Sequence, residues 1–305
     1  MFDNDSKGIS YTAGFFILIA FVIAGIVFTS LLTIPIWTGM TGRPIKEMEK
    51  ALTDPAYGNV SRVLQSITAI LAFFIPTVFA AWVLNRRPMK LLGFVNGIQP
   101  VQVGLVILLM FAALAVSSSL SYINEIIPLP ENLKTLFTSW ENTYNEQVTA
   151  IVGLNSTAEY ILALIIMGFL PALCEETLFR GGLQNFMTRA TRMPLLSIVF
   201  VSIIFSVVHL SWYGFLSRFF LGFILGFIYH YSGRIWLNII AHFLNNAIAV
   251  TALYVYHLRG KPIKDLITDH GGSYWGLVAL PVVVSLLLVF KRVSNYRTLT
   301  NQRTA

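Results

Sequence analysis

Charge is what this sequence has least of. Only 11% of its 305 residues are Asp, Glu, Lys or Arg, against about 25% in soluble globular domains. That scarcity, with 56% of residues hydrophobic, excludes a soluble globular fold. Cysteine is nearly missing too. Cys174 is the only one, so no intrachain disulfide can form, and it reads as a small buried residue rather than a nucleophile. Basic residues form no single patch: the formal charge of +7 is spread over the ends of apolar runs, which excludes a nucleic-acid partner.

The chain has long apolar runs instead. They fall at about 13–36, 63–84, 101–123, 158–178, 195–209, 215–231, 235–256 and 274–290, most of them long enough to cross a bilayer. Within hydrocarbon a helix satisfies every backbone group inside one segment. The expected fold is therefore an all-α polytopic membrane bundle of about eight transmembrane helices. The first run is too long for a signal-peptide core and is expected to remain as a span. Three parts follow. Residues 1–157 are a scaffold of three spans with an extramembrane loop, 158–256 a core of polar-spotted spans, and 257–305 a polar loop, a last span and a basic tail. Residues 1–12 are polar and expected to fray. In the 124–157 loop, Leu133, Leu136, Phe137, Trp140 and Tyr144 make a helical stripe, as expected of an amphipathic helix lying at the interface. Lys and Arg placement puts both termini and the turn near residue 190 in the cytoplasm, with the plasma membrane as the expected location. His257 and His270 are expected in solvent and His230 at the interface, while Gly222-x-x-x-Gly226 is expected to pack helices within the chain.

One stretch organises the rest: Pro171-Ala-Leu-Cys-Glu175-Glu176-Thr-Leu-Phe-Arg180-Gly-Gly. Two acids here end an apolar run, and an ionisable group inside a membrane is by default a functional-site hypothesis. On a helix Glu176 and Arg180 share a face at i,i+4 and can pair, while Glu175 points about 100° away. The pattern offers one acid tied to a guanidinium and one aimed elsewhere. Downstream come Phe205-Ser-Val-Val-His209 and His242-Phe-Leu-Asn-Asn246. Phe205 lies one turn before His209 on the same face. Glu175 lies fifteen residues before Ala190 and His209 fifteen after Pro194, so a hairpin sets both roughly 22 Å from the turn. His242, roughly 12 Å in from Arg234, converges more loosely.

A glutamate, two histidines, an asparagine and an arginine suit water-mediated acyl cleavage. The acid takes a proton from water, and imidazole and amide donors meet the developing oxyanion. No H-E-x-x-H, G-x-S-x-G or paired aspartate of the G-x-G-D type is present. A divalent metal such as zinc held by Glu175, His209 and His242 remains chemically allowed.

E-E-x-x-x-R, F-x-x-x-H and H-x-x-x-N, in that order on consecutive polar spans, resemble the CPBP (Abi) intramembrane protease family, which includes the type II CAAX prenyl endopeptidases and bacteriocin-processing or self-immunity proteins. The resemblance spans about 158–250. It implies Glu175 as general base for water, with Glu176 and Arg180 as its electrostatic partners. It implies His209 and His242 as oxyanion- and water-binding groups, Asn246 as the last polar contact and Phe205 as a positioning aromatic. No metal is required in the favoured form. The implied activity is an intramembrane endopeptidase acting near the cytoplasmic face on a membrane-associated or CAAX-type protein. Its surroundings are membrane lipid, and no stable protein partner is expected. The alternatives are a non-enzymatic immunity or binding factor using the same polar cavity and, last, a proton-coupled carrier. A carrier predicts broken helices in both halves, whereas here the polar residues crowd into the second half.

Overall fold

The computed structural model describes residues 5–152, 154, 156–261, 266 and 272–303, with side chains to residue 294. Seven helices are long and apolar enough to cross a membrane: α1 (Tyr11–Thr41), α2 (Pro55–Leu84), α3 (Pro100–Ile126), α5 (Thr157–Thr191), α7 (Phe215–Ser232), α8 (Ile235–Leu258) and α9 (Tyr274–Ser294). Between α3 and α5 runs α4 (Glu131–Val152), and between α5 and α7 the apolar α6 (Pro194–Val207). Among the described residues no strand forms beyond one isolated bridge, Ser6 with Asn85. The chain is an integral membrane protein with an all-α polytopic fold.

The expected eighth span is a partial one. α6 has 14 residues, roughly 21 Å of helix against a hydrocarbon core of about 30 Å. It starts on Pro194, whose missing N–H is harmless at a first turn, and stops before His209. Leu210 then takes a left-handed backbone, φ 49°, which turns the chain toward α7. His209 is thus carried just past a helix end, within the bundle.

Two prolines leave a mark on the long helices. Pro76 and Pro171 each remove a ladder hydrogen bond and crowd the preceding turn. In each case a widened π segment lies just upstream, Ala69–Phe74 and Leu164–Phe169. The helix widens rather than breaks. α5 therefore runs unbroken through the acidic motif to Thr191.

Residues 5–12 are pinned, not frayed, and residues 1–4 lie outside the described residues. The Lys7 amide donates to Leu84 O (2.9 Å) and the Arg86 amide to Asp5 O (2.8 Å). The Asp5 carboxylate lies 3.5 Å from both Arg87 and Lys90. Arg189 donates to the Tyr11 hydroxyl (3.3 Å), and the Ile235 amide to Gly93 O (3.0 Å). One face of the bundle thus gathers the start of the chain and the loops near residues 90, 190 and 234. α4 and the 208–214 segment lie toward the other face.

α4 does more than float at the interface. Leu133, Leu136 and Trp140 are exposed, but Phe137 stacks on Trp212 with centroids 5.0 Å apart. Buried Glu141 accepts from Ser211 Oγ at 2.6 Å, and Arg62 of α2 holds the helix end through Ile151 O (2.8 Å). His230 is exposed at the end of α7, and His257 is half-buried at the end of α8 rather than solvated. His270 lies outside the described residues.

The glycine pair of α7 packs within the chain. A Cβ on Gly226 would stand 2.7 Å from Ile198 Cγ2 of α6. The Gly222 and Gly226 carbonyls accept from Arg180 Nη2 (3.0 Å) and Gln184 Nε2 (2.9 Å). Gly226→Val should therefore cost about 1–3 kcal/mol through overpacking, read as a lower unfolding temperature in detergent. Gly104→Val, where a Cβ meets nothing within 4 Å, is the control and should leave it unchanged.

Candidate active site

The site grows from α5, α6 and α8. Glu176 is 0% exposed and Arg180 1%, and a carboxylate so placed must be answered by donors. Arg180 Nη1 reaches Glu176 Oε1 at 3.0 Å, as the i,i+4 spacing predicts. His242 Nδ1 lies 2.8 Å from the same oxygen, and Asn238 Nδ2 lies 3.4 Å from Oε2. A carboxylate only accepts, so His242 carries its proton on Nδ1 and turns Nε2 away from Glu176.

Glu175 behaves as the free acid of the pair. Its Oε2 is buried without a hydrogen-bond partner and lies 4.0 Å from His242 Nε2. That separation is too long for a direct hydrogen bond and within reach of one shared water. His209 is fixed in the same manner as His242. Its Nδ1 donates to Phe205 O at 2.6 Å, which leaves Nε2 as the ring nitrogen for other work. The Phe205 ring stands 4.9 Å from the His209 ring, 5.8 Å from the His242 ring and 4.7 Å from the Arg180 guanidinium carbon. One aromatic side chain thus packs against three of the polar groups.

Three cavities meet here. One, of about 440 Å³, is lined by Tyr144, His209, Arg218, His242 and Asn246. A second, of about 450 Å³, is walled by apolar side chains of α1, α2, α5 and α6, with Glu175 and His209 among its lining. The third, of about 420 Å³, joins Gln65 and Tyr144 to Glu175, His209, His242 and Asn246. His209 lines all three. Neither Glu176 nor Arg180 lines any of them; their hydrogen bonds go to each other, to His242, to Asn238 and to the backbone of α7. Asn246 donates weakly to Gly168 O (3.4 Å) and lines two of the cavities.

Glu175, His209, His242 and Asn246 therefore come together as the spacing argument expects, with Phe205 against both imidazoles. Cys174 is buried, 1% exposed, as a small core residue. Among the described residues no group of three His, Cys, Asp or Glu side chains is arranged to hold a metal ion. Sequence reasoning passed over Asn238, although its place one turn before His242 was a signal. It also passed over Arg218, Ser117 and Gln65, because nothing in a hydropathy pattern says which side of a helix meets a cavity.

Residues 157–248, under a third of the chain, match the family model for the type II CAAX prenyl endopeptidase Rce1-like proteins. The segment contains every candidate residue from Glu175 to Asn246, and the match supports the resemblance to the CPBP protease family over those residues. No curated protein and no solved structure matches the chain.

The two acids should respond differently to neutralisation. Glu176→Gln leaves Arg180 and His242 facing an amide in a sealed site, and should lower stability by about 3 kcal/mol. Glu175→Gln breaks no hydrogen bond and should unfold near the parent's temperature. Thermal unfolding of the purified variants checks this, and equal losses would overturn the division of roles.

Proposed function

We propose that this protein is an intramembrane endopeptidase that hydrolyses a peptide bond of a membrane-associated or CAAX-type protein substrate, with Glu175 activating the water. The observation that carries the reading is the unpartnered Glu175 Oε2, 4.0 Å from His242 Nε2. A water held between them has a base on one side and an imidazole on the other. The Rce1-like match over residues 157–248 supports the reaction class.

The steps follow from the ring geometry. Glu175 takes a proton as the water oxygen attacks the acyl carbon. The carbonyl oxygen gains charge and needs donors aimed at it. In both histidines Nδ1–H is already committed, to Glu176 and to Phe205 O. Nε2 of each neutral ring can therefore only accept, which suits it to hold the water, and the Asn246 amide at the same cavities is the donor left for the oxyanion. Glu175 then returns its proton to the leaving nitrogen as the C–N bond breaks. Glu176 holds the tautomer and orientation of His242 throughout, and Phe205 packs against both rings. No step calls on a metal.

For orientation, Arg86, Arg87, Lys90, Arg189 and Arg234 crowd the face that also holds the N-terminus, which favours that face as cytoplasmic, in the plasma membrane. The cavities reach the other way, toward Tyr144 and the 208–214 segment. Cytoplasmic termini and cleavage close to the cytoplasmic face are thus competing expectations, and we favour the first.

Cleavage of membrane-protein reporters by the full chain in liposomes tests the proposal. Glu175→Ala and His209→Ala should each lower the rate by about 100-fold or more, and a chelator should leave it unchanged. Wild-type rates in both variants would overturn the peptidase reading in favour of a peptide-binding membrane factor.

A further inference from the structure

Among the described residues Arg218 forms no ion pair with an acid. It lies in the first turn of α7, its amide bonded to Gly214 O (3.0 Å). Its Nη1 is buried and has no hydrogen-bond partner. Its guanidinium carbon stands 5.3 Å over the Tyr144 ring. The side chain folds so closely over Gly214 that a Cβ there would lie 2.3 Å from Nη1. The cavity of about 440 Å³ that Arg218 lines contains no Asp or Glu in its wall, only histidine, asparagine, serine and tyrosine among its polar residues. A second wall residue, Ser117, also has a buried hydroxyl oxygen without a partner. Arg180, by contrast, is neutralised by Glu176 at 3.0 Å. Leaving a guanidinium nitrogen buried without an acceptor is costly, and the planar fork matches a carboxylate. The α7 N-terminus adds positive potential on the same side.

We infer that Arg218 anchors a carboxylate of the substrate peptide, in a cavity that His209 and His242 line and Glu175 does not. The inference rests on the peptidase reading for what occupies the cavity. His209 and His242 line both this cavity and the one that holds Glu175, whereas Glu175 does not line this one. A peptide crossing the rings with its reacting carbonyl beside Glu175 delivers the next few atoms to Arg218. The anion is either the chain-terminal carboxylate just past the cleaved bond or an acidic side chain there.

Binding, not turnover, tests this, so that failure of the anchor and failure of the peptidase reading separate. The full chain carrying Glu175→Gln, in nanodiscs, is titrated with three fluorescent apolar hexapeptides. One has a free C-terminal carboxylate, one a C-terminal amide, and one an amide with glutamate at the penultimate position. The free-carboxylate or the glutamate peptide should bind about tenfold or more tightly than the plain amide, and whichever does identifies the source. Adding Arg218→Gln should collapse that preference to within about twofold of unity, while Arg218→Lys should keep part of it. Equal binding of all three peptides with Arg218 present needs no second variant and would overturn the anchor. So would a preference that survives in a folded Arg218→Gln protein.

Discussion

Everything in this bundle turns on one carboxylate that water never reaches. Glu176 is fully buried, and a charge in that setting survives only if donors surround it. The donors come from two helices: Arg180 from its own, Asn238 and His242 from α8. Arg180 and Asn238 also bond carbonyls of α7, at Gly222 (3.0 Å) and Leu225 (2.7 Å). A single acid therefore fixes the register of α5, α7 and α8 and, through the tautomer it imposes on His242, decides which ring nitrogen meets the cavities. Its neighbour in sequence is spared that duty. Glu175 is left with an unpaired oxygen because Glu176 has taken the donors.

The remaining imidazole depends on a different constraint. A full-length α6 would bury His209 inside a regular helix, with its neighbours' side chains around it. The stop at Val207 and the left-handed Leu210 place it at a loop edge instead. Left-handed backbone in a non-glycine residue costs of order 1 kcal/mol, and the surroundings hold it in place. Ser206 Oγ bonds Phe215 O (2.6 Å) and Ser211 Oγ bonds Glu141 (2.6 Å). α4 thereby contributes to the site without touching the reacting groups through an acid or base of its own.

What could be read in the sequence was whatever obeys helical arithmetic. Equal offsets of Glu175 and His209 from the turn near residue 190 predicted a shared depth, and the two line common cavities. The i,i+4 pairing of Glu176 with Arg180 held at 3.0 Å, even though Arg180 lies in the π segment Thr177–Gln184. What escaped was whatever depends on how helices face each other. The run from Leu195 to Val208, apolar apart from Ser197, Ser202 and Ser206, does not mark where α6 stops. The stripe on α4 announced an amphipathic helix, but Phe137 and Tyr144 turn inward while Leu133, Leu136 and Trp140 do not, and periodicity alone cannot assign the two halves. Arg218 carried no motif at all.

The division of labour among the cavities follows from where the charges are. Apolar side chains of α1, α2, α5 and α6 wall one chamber and bring it to Glu175 and His209. Polar side chains and Arg218 wall another, which meets His209 and His242 but not Glu175. His209 lines both chambers. An unpartnered carboxylate oxygen on Glu175 and an unpartnered guanidinium nitrogen on Arg218 thus line different cavities, and the two imidazoles line both.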